Sequence, residues 1–473
     1  MKGGHSGSTM LDKIKEKIPV WKNECDATVV CQEEPFAVAI VTPLMKRAHA
    51  SHYAHDVCFV DSTASCDADN HVLTFLLTAT AAGAVPLGVI ITDSTSAASY
   101  TAGFNLFKSV LPDESFGGHG HPSVFITDDC DAERTALQTC WPAADLKLCL
   151  FHVPQAVWRW LWAESHRVAK DDRKTLMTEF RRIVYCADEC EANIAFDEAI
   201  NSETVVEYEN YQEYLHHWWN RRQLWCLAWR SSQHRGHHTN NFAEVTVRLY
   251  KDIVLCRAKA YNAVSLVDFT VKVMENYYRH RLRDFANGRI SAQHLFMDRL
   301  RAKSSYLVSC DQITDYNDGK YGVPNSDGTE LYIVDLCLGC CTCRHGMTGK
   351  FCKHQSAVMH LFNAAFPNAP GVTAEDRHKI AYIALGDKCP AAEFYRNLRT
   401  GQGHNAITQE RPDNVAELAS NALMSSGDIQ ERESVERPSM DTLLQEYHQP
   451  LCVNCARFSV DEPCHTALQK SSV

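Results

Sequence analysis

Within Leu338–His354 (LGCCTCRHGMTGKFCKH), Cys341, Cys343, Cys352 and His354 fall in the pattern C-x-C-x8-C-x-H. Two close ligand pairs, split by a loop containing Gly346 and Gly349, are the spacing with which a short chain wraps one tetrahedral cation. Three thiolates and one imidazole saturate Zn²⁺ and leave no position for water, so the expected zinc is structural, not catalytic. The plain alternative is a group of buried thiols packing as small hydrophobes, which paired spacing fits poorly. Cys337 and Cys340 lie beside the motif, and either is an alternative to Cys341. Leu331–Leu336 (LYIVDL) reads as a strand leading in. Ser356–Phe362 (SAVMHLF) reads as a helix leading out, with Val358, Leu361 and Phe362 at helical spacing. In so small a unit, zinc would supply most of the folding energy, on the order of 10–16 kcal/mol at neutral pH.

The whole chain has 473 residues, enough for two or three domains. Hydrophobic residues at 45% and charged residues at 22% are ordinary values for a soluble globular protein. No apolar run approaches the ~20 residues needed to cross a bilayer, and the first residues (MKGGHSGSTMLDKIKEKIPVW) lack the apolar stretch of a signal peptide. The 21 cysteines are therefore expected as reduced thiols and metal ligands in the cytosol or nucleus, not as a disulfide frame. Net charge is −11, and residues 405–473, with eleven acidic and five basic side chains, carry −6 of it. Composition thus lends no support to binding a polyanion, which would need local basic patches. His234-Arg235-Gly236-His237-His238 and Arg279–Arg283 (RHRLR) are the candidates; a solvated loop and a charged helix face are the plain alternatives.

Residues 1–52 form a lead-in without a complete motif. Val57–Val60 (VCFV) is a buried-strand run ending at Asp61. Val72–Thr80 and Val85–Thr92 read as a hairpin around Ala81-Ala82-Gly83-Ala84. A helix over Thr95–Leu111, a strand over Val124–Ile126, a helix over Asp131–Cys140 and a strand over Leu146–Leu150 follow. Three strands and then alternating helices and strands is the order of the RNase H-like fold, an α/β architecture with a mixed sheet. Residues 53–256 are assigned to this domain, with a large all-helical insertion over 153–236. The insertion holds seven of the nine tryptophans, read as packing in preference to base stacking. A helical linker over 257–330, the zinc-stabilised finger over 331–365 and a C-terminal region over 366–473, largely disordered from about residue 400, complete the expected organisation.

Asp61 and Asp128 each sit just past a buried strand, and Glu244 lies at the start of a late helix (TNNFAE). Singly, each is a polar turn or cap residue. Brought together, three carboxylates hold two Mg²⁺ or Mn²⁺ ions about 3.5–4 Å apart, the arrangement for two-metal phosphoryl transfer. Asp129 and Asp131 compete with Asp128, which comes first after its strand.

The Cys/His spacing, with its strand and helix, resembles the SWIM-type zinc finger, whose family members bind DNA or protein. The segment Asp56–Arg257 resembles the transposase domain of Mutator-like elements, the MULE domain, a DDE-type DNA transposase. The similar stretches are Phe59–Thr63 (FVDST), Phe125–Leu137 (FITDDCDAERTAL), Leu148–Leu161 (LCLFHVPQAVWRWL) and Thr239–Glu244 (TNNFAE). The last, with Lys251-Asp252, resembles the animal SWIM-containing branch. The resemblance implies catalytic Asp61, Asp128 and Glu244, and it picks out Cys149 and His152 as the C-x2-H motif between the second Asp and the Glu. It covers roughly residues 53–365 and includes the order of the two domains. Family members commonly carry an N-terminal DNA-binding finger, whereas residues 1–52 offer only Cys25 and Cys31.

The expectation is a transposase-derived nuclear protein that acts on DNA, with protein partners through the finger and no membrane. The alternative is a catalytically inactive, domesticated regulator or adaptor of the same ancestry. Cys452, Cys455, Cys464 and His465 suggest a further zinc site in the tail, though the adjacent Cys464-His465 pair is awkward for one tetrahedral ion. No Gly-rich phosphate loop, catalytic serine or dinucleotide fingerprint stands out.

Overall fold

Seven strands form one mixed sheet: β1 (Thr28–Gln32), β2 (Ala37–Val41), β3 (Val57–Thr63), β4 (Val72–Thr80), β5 (Gly83–Thr92), β6 (Val124–Thr127) and β7 (Asp145–Leu148). Their spatial order is β1-β2-β5-β4-β3-β6-β7. β3, β4 and β5 are a meander of antiparallel neighbours, while β6 runs parallel to β3 and β7 parallel to β6. The computed structural model describes residues 9–397 apart from 187, 289–291, 344, 347–349, 367 and 370–372. The proposed tail site at Cys452, Cys455, Cys464 and His465 lies outside the described residues.

All of β4 and all of β5 beyond Gly83 are buried, so these strands read as unbroken apolar runs, as expected where both faces of a sheet are covered. The hairpin is tighter than its sequence suggests. Only Ala81 and Ala82 separate the strands, and Gly83 takes φ +92°, where a Cβ would also strike the Arg281 guanidinium at 2.4 Å.

Residues 9–52 prove to be part of this sheet domain. They carry α1 (Met10–Cys25), the β1–β2 hairpin and α2 (Pro43–His49), and β2 pairs antiparallel with β5. AVAIV in β2 is five fully buried residues, too short a run for periodicity to separate strand from helix. Four further helices or crossovers follow: α3 (Tyr53–Asp56), α4 (Ala97–Lys108), α5 (Asp131–Cys140) and α6 (His152–Trp162).

The stretch after α6 is helical: α7 (Arg173–Val184), α8 (Glu189–Ile200), α9 (Glu203–Val206) and α10 (Glu209–Trp219). Its tryptophans pack on each other and on their neighbours. Trp225 stacks on Phe180 at 5.2 Å, Trp219 on Phe196 at 4.3 Å and Trp160 on Tyr214 at 4.7 Å. α11 (Asn241–Leu249) then crosses β3 and β4, followed by α12 (Ala263–Asp268), α13 (Glu275–Ala286) and α14 (Ala292–Lys303).

The expected linker over 257–330 is helical only as far as α14. β8 (Thr314–Asp315) and β9 (Lys320–Pro324) follow, and they pair with β10 (Leu331–Asp335) and β11 (Cys340–Cys341) in a second sheet of order β11-β10-β9-β8. The first of these strands has two exposed polar residues, which leaves no alternation to read. α15 (Lys353–Leu361) packs on β10 and β11 around a small core containing Val323, Val334, Phe351 and Val358. α16 (Ala374–Leu385) and α17 (Ala392–Asn397) end the described chain. α16 returns to the sheet domain against α13 and α2, and Arg47 donates to the Ile383 carbonyl at 2.8 Å. Among the described residues no helix is long and apolar enough to cross a membrane.

Candidate metal centres

Val57–Val60 and Val124–Thr127 are buried on both faces of the sheet. The register pairs Phe59 with Ile126, and two residues further along each strand come Asp61 and Asp128. Because the two strands are parallel, both acids emerge at the same carboxyl edge, where ligands of open α/β sheets bind. The Cys149 N–H donates to the Thr127 carbonyl at 2.9 Å and extends the β6–β7 pairing by one residue. His152 then opens α6 one turn later. Its Nδ1 is 3.5 Å from Asp128 Oδ1, and its Nε2 is 2.9 Å from Glu244 Oε1.

Glu244 reaches the pocket because the residue before α11 is clamped on two sides. The Asn240 side-chain amide donates to the Val60 carbonyl at 2.9 Å, and its backbone N–H donates to Cys149 Sγ at 3.2 Å. The Leu150 N–H adds a bond to the His238 carbonyl at 2.9 Å. Glu244 follows one helical turn on, its N–H bonded to the Asn240 carbonyl at 3.2 Å. Asn240 is fully buried. It stands inside TNNFAE, yet nothing in that string separates a clamp from an ordinary helix cap.

Electrostatics bind the acids into one group. Burial pushes the Asp61 carboxyl well above the carboxylate range, and Asp128, Glu133 and Glu244 push it further; the Ser62 N–H, 2.8 Å from Asp61 Oδ1, opposes them. Asp128 Oδ1 is buried without a hydrogen-bond partner among the described residues. Asp129 is committed elsewhere. Burial alone would raise its carboxyl, but two bonds from Arg221, at 2.8 and 2.7 Å, and the Arg134 guanidinium hold it below the usual range. Asp131 is exposed and also pairs with Arg134.

Glu133 was not foreseen. It is 3% exposed, and its carboxyl accepts from the Thr127 hydroxyl and, at 3.0 Å, from the Ser62 hydroxyl. One buried carboxyl therefore ties the residue before Asp128 to the residue after Asp61. Its signal is an acid on the apolar stripe of a helix, since Glu133, Ala136, Leu137 and Cys140 are the buried face of α5. Burial pushes its carboxyl up from 4.5 to about 7. With the folded value above the unfolded one, the stabilising contribution is complete below about 4.5 and lost as the pH climbs through about 7. Glu133→Gln keeps the shape without the charge. It is expected to match the wild type at about pH 4 and to exceed it at about pH 8 by up to roughly 3 kcal/mol in thermal or urea unfolding. An equal pH dependence in both proteins would contradict the assignment.

The second centre is the Cys/His unit. Cys341, Cys343, Cys352 and His354 are all buried, with ligand atoms within 4.8 Å of one another. Cys341 ends β11, Cys352 caps α15 and His354 lies in its first turn. Cys341 Sγ is 3.6 Å from His354 Nδ1. Backbone N–H groups point at all three sulfurs: Cys343 to Cys341 at 3.4 Å, Gly346 to Cys343 at 3.3 Å and Gln355 to Cys352 at 3.5 Å. A Cβ on Gly346 would lie 2.3 Å from the Cys341 Cβ, so the turn between the ligand pairs closes only around glycine. Burial pushes the Cys341 thiol well up and Cys352 up to about 12. Buried thiolates at such spacing need a cation, and the soft N/S donor set fits zinc. Cys340 is buried outside this group and Cys337 is exposed.

Two more groups of ligand-type atoms within 4.8 Å occur among the described residues: Asp128–Cys149–His152 and Asp67–Asp69–His71. The latter is explained by its turn, since both Asp67 oxygens are taken by His71, from the backbone N–H at 2.9 Å and by Nδ1 at 2.6 Å. Asp61, Asp128 and Glu244 are not such a group by themselves. The His152 imidazole lies between Asp128 and Glu244, and Asp61 ends the strand next to that of Asp128. The raised Asp61 carboxyl and the Asp128 oxygen without a hydrogen-bond partner among the described residues fit a divalent cation beside them.

Residues 57–156 match the family model of the MULE transposase domain. The match spans β3 to the first half of α6, taking in Asp61, Asp128, Cys149 and His152. It stops short of Glu244 and of the Cys/His unit. No curated protein matches the chain.

Proposed function

We propose that this chain is a transposase-derived protein whose sheet domain is an RNase H-like MULE domain cutting and joining DNA strands, with the Cys341–His354 unit a SWIM-type zinc finger. The reading draws on the antiparallel β5-β4-β3 meander continued by parallel β6 and β7, with α4 and α5 between the later strands. The observation that carries it is convergence: Asp61 and Asp128 end neighbouring parallel strands, and His152 lies 3.5 Å from Asp128 and 2.9 Å from the remote Glu244. Divalent Mg²⁺ or Mn²⁺, when bound, would activate a water or 3′-hydroxyl and neutralise charge on the leaving oxygen. Asp61 and Asp128 offer oxygens from rigid strand ends, and Asn240 sets the helix turn that carries Glu244. His152 holds the Glu244 carboxyl in place and presents the pocket with an imidazole able to hold or pass a proton at Nδ1. The Ser62 N–H keeps Asp61 Oδ1 oriented. Nuclear location, DNA as substrate and protein partners at the finger belong to this reading.

Incubation of the purified chain with supercoiled plasmid and Mn²⁺ tests it. The wild type is expected to nick, and Asp61→Ala and Glu244→Ala to lose at least a hundredfold in rate, as removal of charge-stabilising groups does. Equal nicking by all three proteins would remove the assignment. The second reading, an inactive domesticated regulator or adaptor, is favoured by the net charge of −11 and by the imidazole lodged between Asp128 and Glu244. It predicts bound zinc with no nicking by any of the three.

A further inference from the structure

Cys149 has no role in hard-cation phosphoryl transfer, yet its sulfur lies with the His152 imidazole beside Asp128. We propose that Asp128, Cys149 and His152 form a binding site for a transition-metal cation of the zinc class, separate from the Cys341–His354 unit, with Glu244 as the outer partner of the imidazole.

Three features carry this. The carboxylate oxygen, the sulfur and the ring nitrogen lie within 4.8 Å of one another, which is the span of ligands about one small ion bound at 2.0–2.3 Å. The imidazole is turned as a ligand is turned. Nδ1 faces Asp128 at 3.5 Å, beyond hydrogen-bond reach, while Nε2 is held by Glu244 at 2.9 Å. A carboxylate on the far nitrogen fixes the tautomer that leaves the near nitrogen's lone pair free for a metal. Asp128 Oδ1 is buried and lacks a hydrogen-bond partner among the described residues, so an acceptor aimed at this point is left for a cation to satisfy.

The backbone builds the rest. Cys149 continues the strand pairing through the Thr127 carbonyl, and its Sγ is steadied by the Asn240 N–H at 3.2 Å. His152 follows in the first turn of α6, its N–H on the Cys149 carbonyl at 3.1 Å, so two ligands come from one turn and the third from the neighbouring strand end. Thiolate, imidazole and carboxylate together select a borderline-soft ion over Mg²⁺. Three protein ligands leave a fourth position open, unlike the saturated set of the other centre. The assignment does not depend on the chain acting on DNA.

Metal analysis of the full chain with a Co²⁺ titration tests it. The expected result is about one equivalent of zinc or Co²⁺ per chain that is lost in Cys149→Ser and in His152→Ala, and retained in Cys352→Ser and Asp61→Ala. In the Co²⁺ form, a thiolate-to-metal absorption band should disappear with Cys149→Ser while the bands of the Cys341–His354 unit remain. If Cys149→Ser misfolds, His152→Ala, at a side chain one-quarter exposed, decides alone. Equal metal content and unchanged Co²⁺ spectra in the wild type and both site variants would overturn the proposal. Loss of plasmid nicking in Asp61→Ala with this equivalent intact separates its fate from that of the phosphoryl-transfer reading.

Discussion

Cys352→Ser is expected to release about one equivalent of zinc and to unfold the segment from β8 to α15, while the seven-stranded sheet stays folded. The reason lies in what this small unit buries. Cys341, Cys343 and Cys352 are members of its hydrophobic core, beside side chains such as Val323, Val334, Phe351 and Val358. Without an ion these three positions are thiols packed against one another at the centre of that core. Structural zinc contributes on the order of 10–16 kcal/mol at neutral pH, more than a unit this size gains from its own apolar burial. The main sheet has a separate core built on Val57–Val60, Phe75, Leu76 and Ile126, so its unfolding should be nearly unchanged. Limited proteolysis reads the effect as new cleavage between Lys320 and Leu361. Cys340→Ser is the control: Cys340 is buried but outside the ligand group, and a cost of about 1 kcal/mol with full zinc content is expected. Unchanged zinc in Cys352→Ser would remove the assignment.

The ligand set of that unit was legible because metal chemistry imposes spacing on the sequence itself. Cys341, Cys343, Cys352 and His354 come together as the pattern requires, while β8, two exposed polar residues, and β9, five residues around Gly322, left no clear pattern to read. The meander and the two parallel strands were legible for a different reason: long apolar runs bounded by acids have few other uses. The approach of Glu244 to His152 was harder to read. It depends on Asn240 bonding to the Val60 carbonyl across the sheet, a contact that no local property of TNNFAE announces. Glu133 lies on the apolar stripe of α5, but an acid in the first turn of a helix reads equally as a partner of the helix dipole. His152 was named only as part of a motif, and its placement between two carboxyls needed coordinates. Residues 9–52 went unassigned because β1 and β2 gain their meaning only as an extension of β5.

Asp61→Asn is expected to make the metal-free protein more stable than the wild type at neutral pH and less stable than the wild type once Mn²⁺ is saturating. Asp61 is held well above the carboxylate range by burial and by Asp128, Glu133 and Glu244. A folded value above the unfolded one means that its stabilising contribution is full below the ordinary carboxylate range and is lost as the pH rises through the folded value. At pH 7.5 the wild type without a cation therefore carries a burden that asparagine removes, since the amide fills the same space without charge. At pH 4 the two proteins should melt together. Divalent binding reverses the order. An ion that binds only the folded state stabilises by about 2.7 kcal/mol at a hundred times its dissociation constant, and the wild type should gain this while the variant, one carboxylate short, gains little. Thermal melts with and without Mn²⁺ at both pH values supply the four numbers needed. Parallel shifts in both proteins on adding Mn²⁺ would place the ion elsewhere and would remove Asp61 from the proposed metal site.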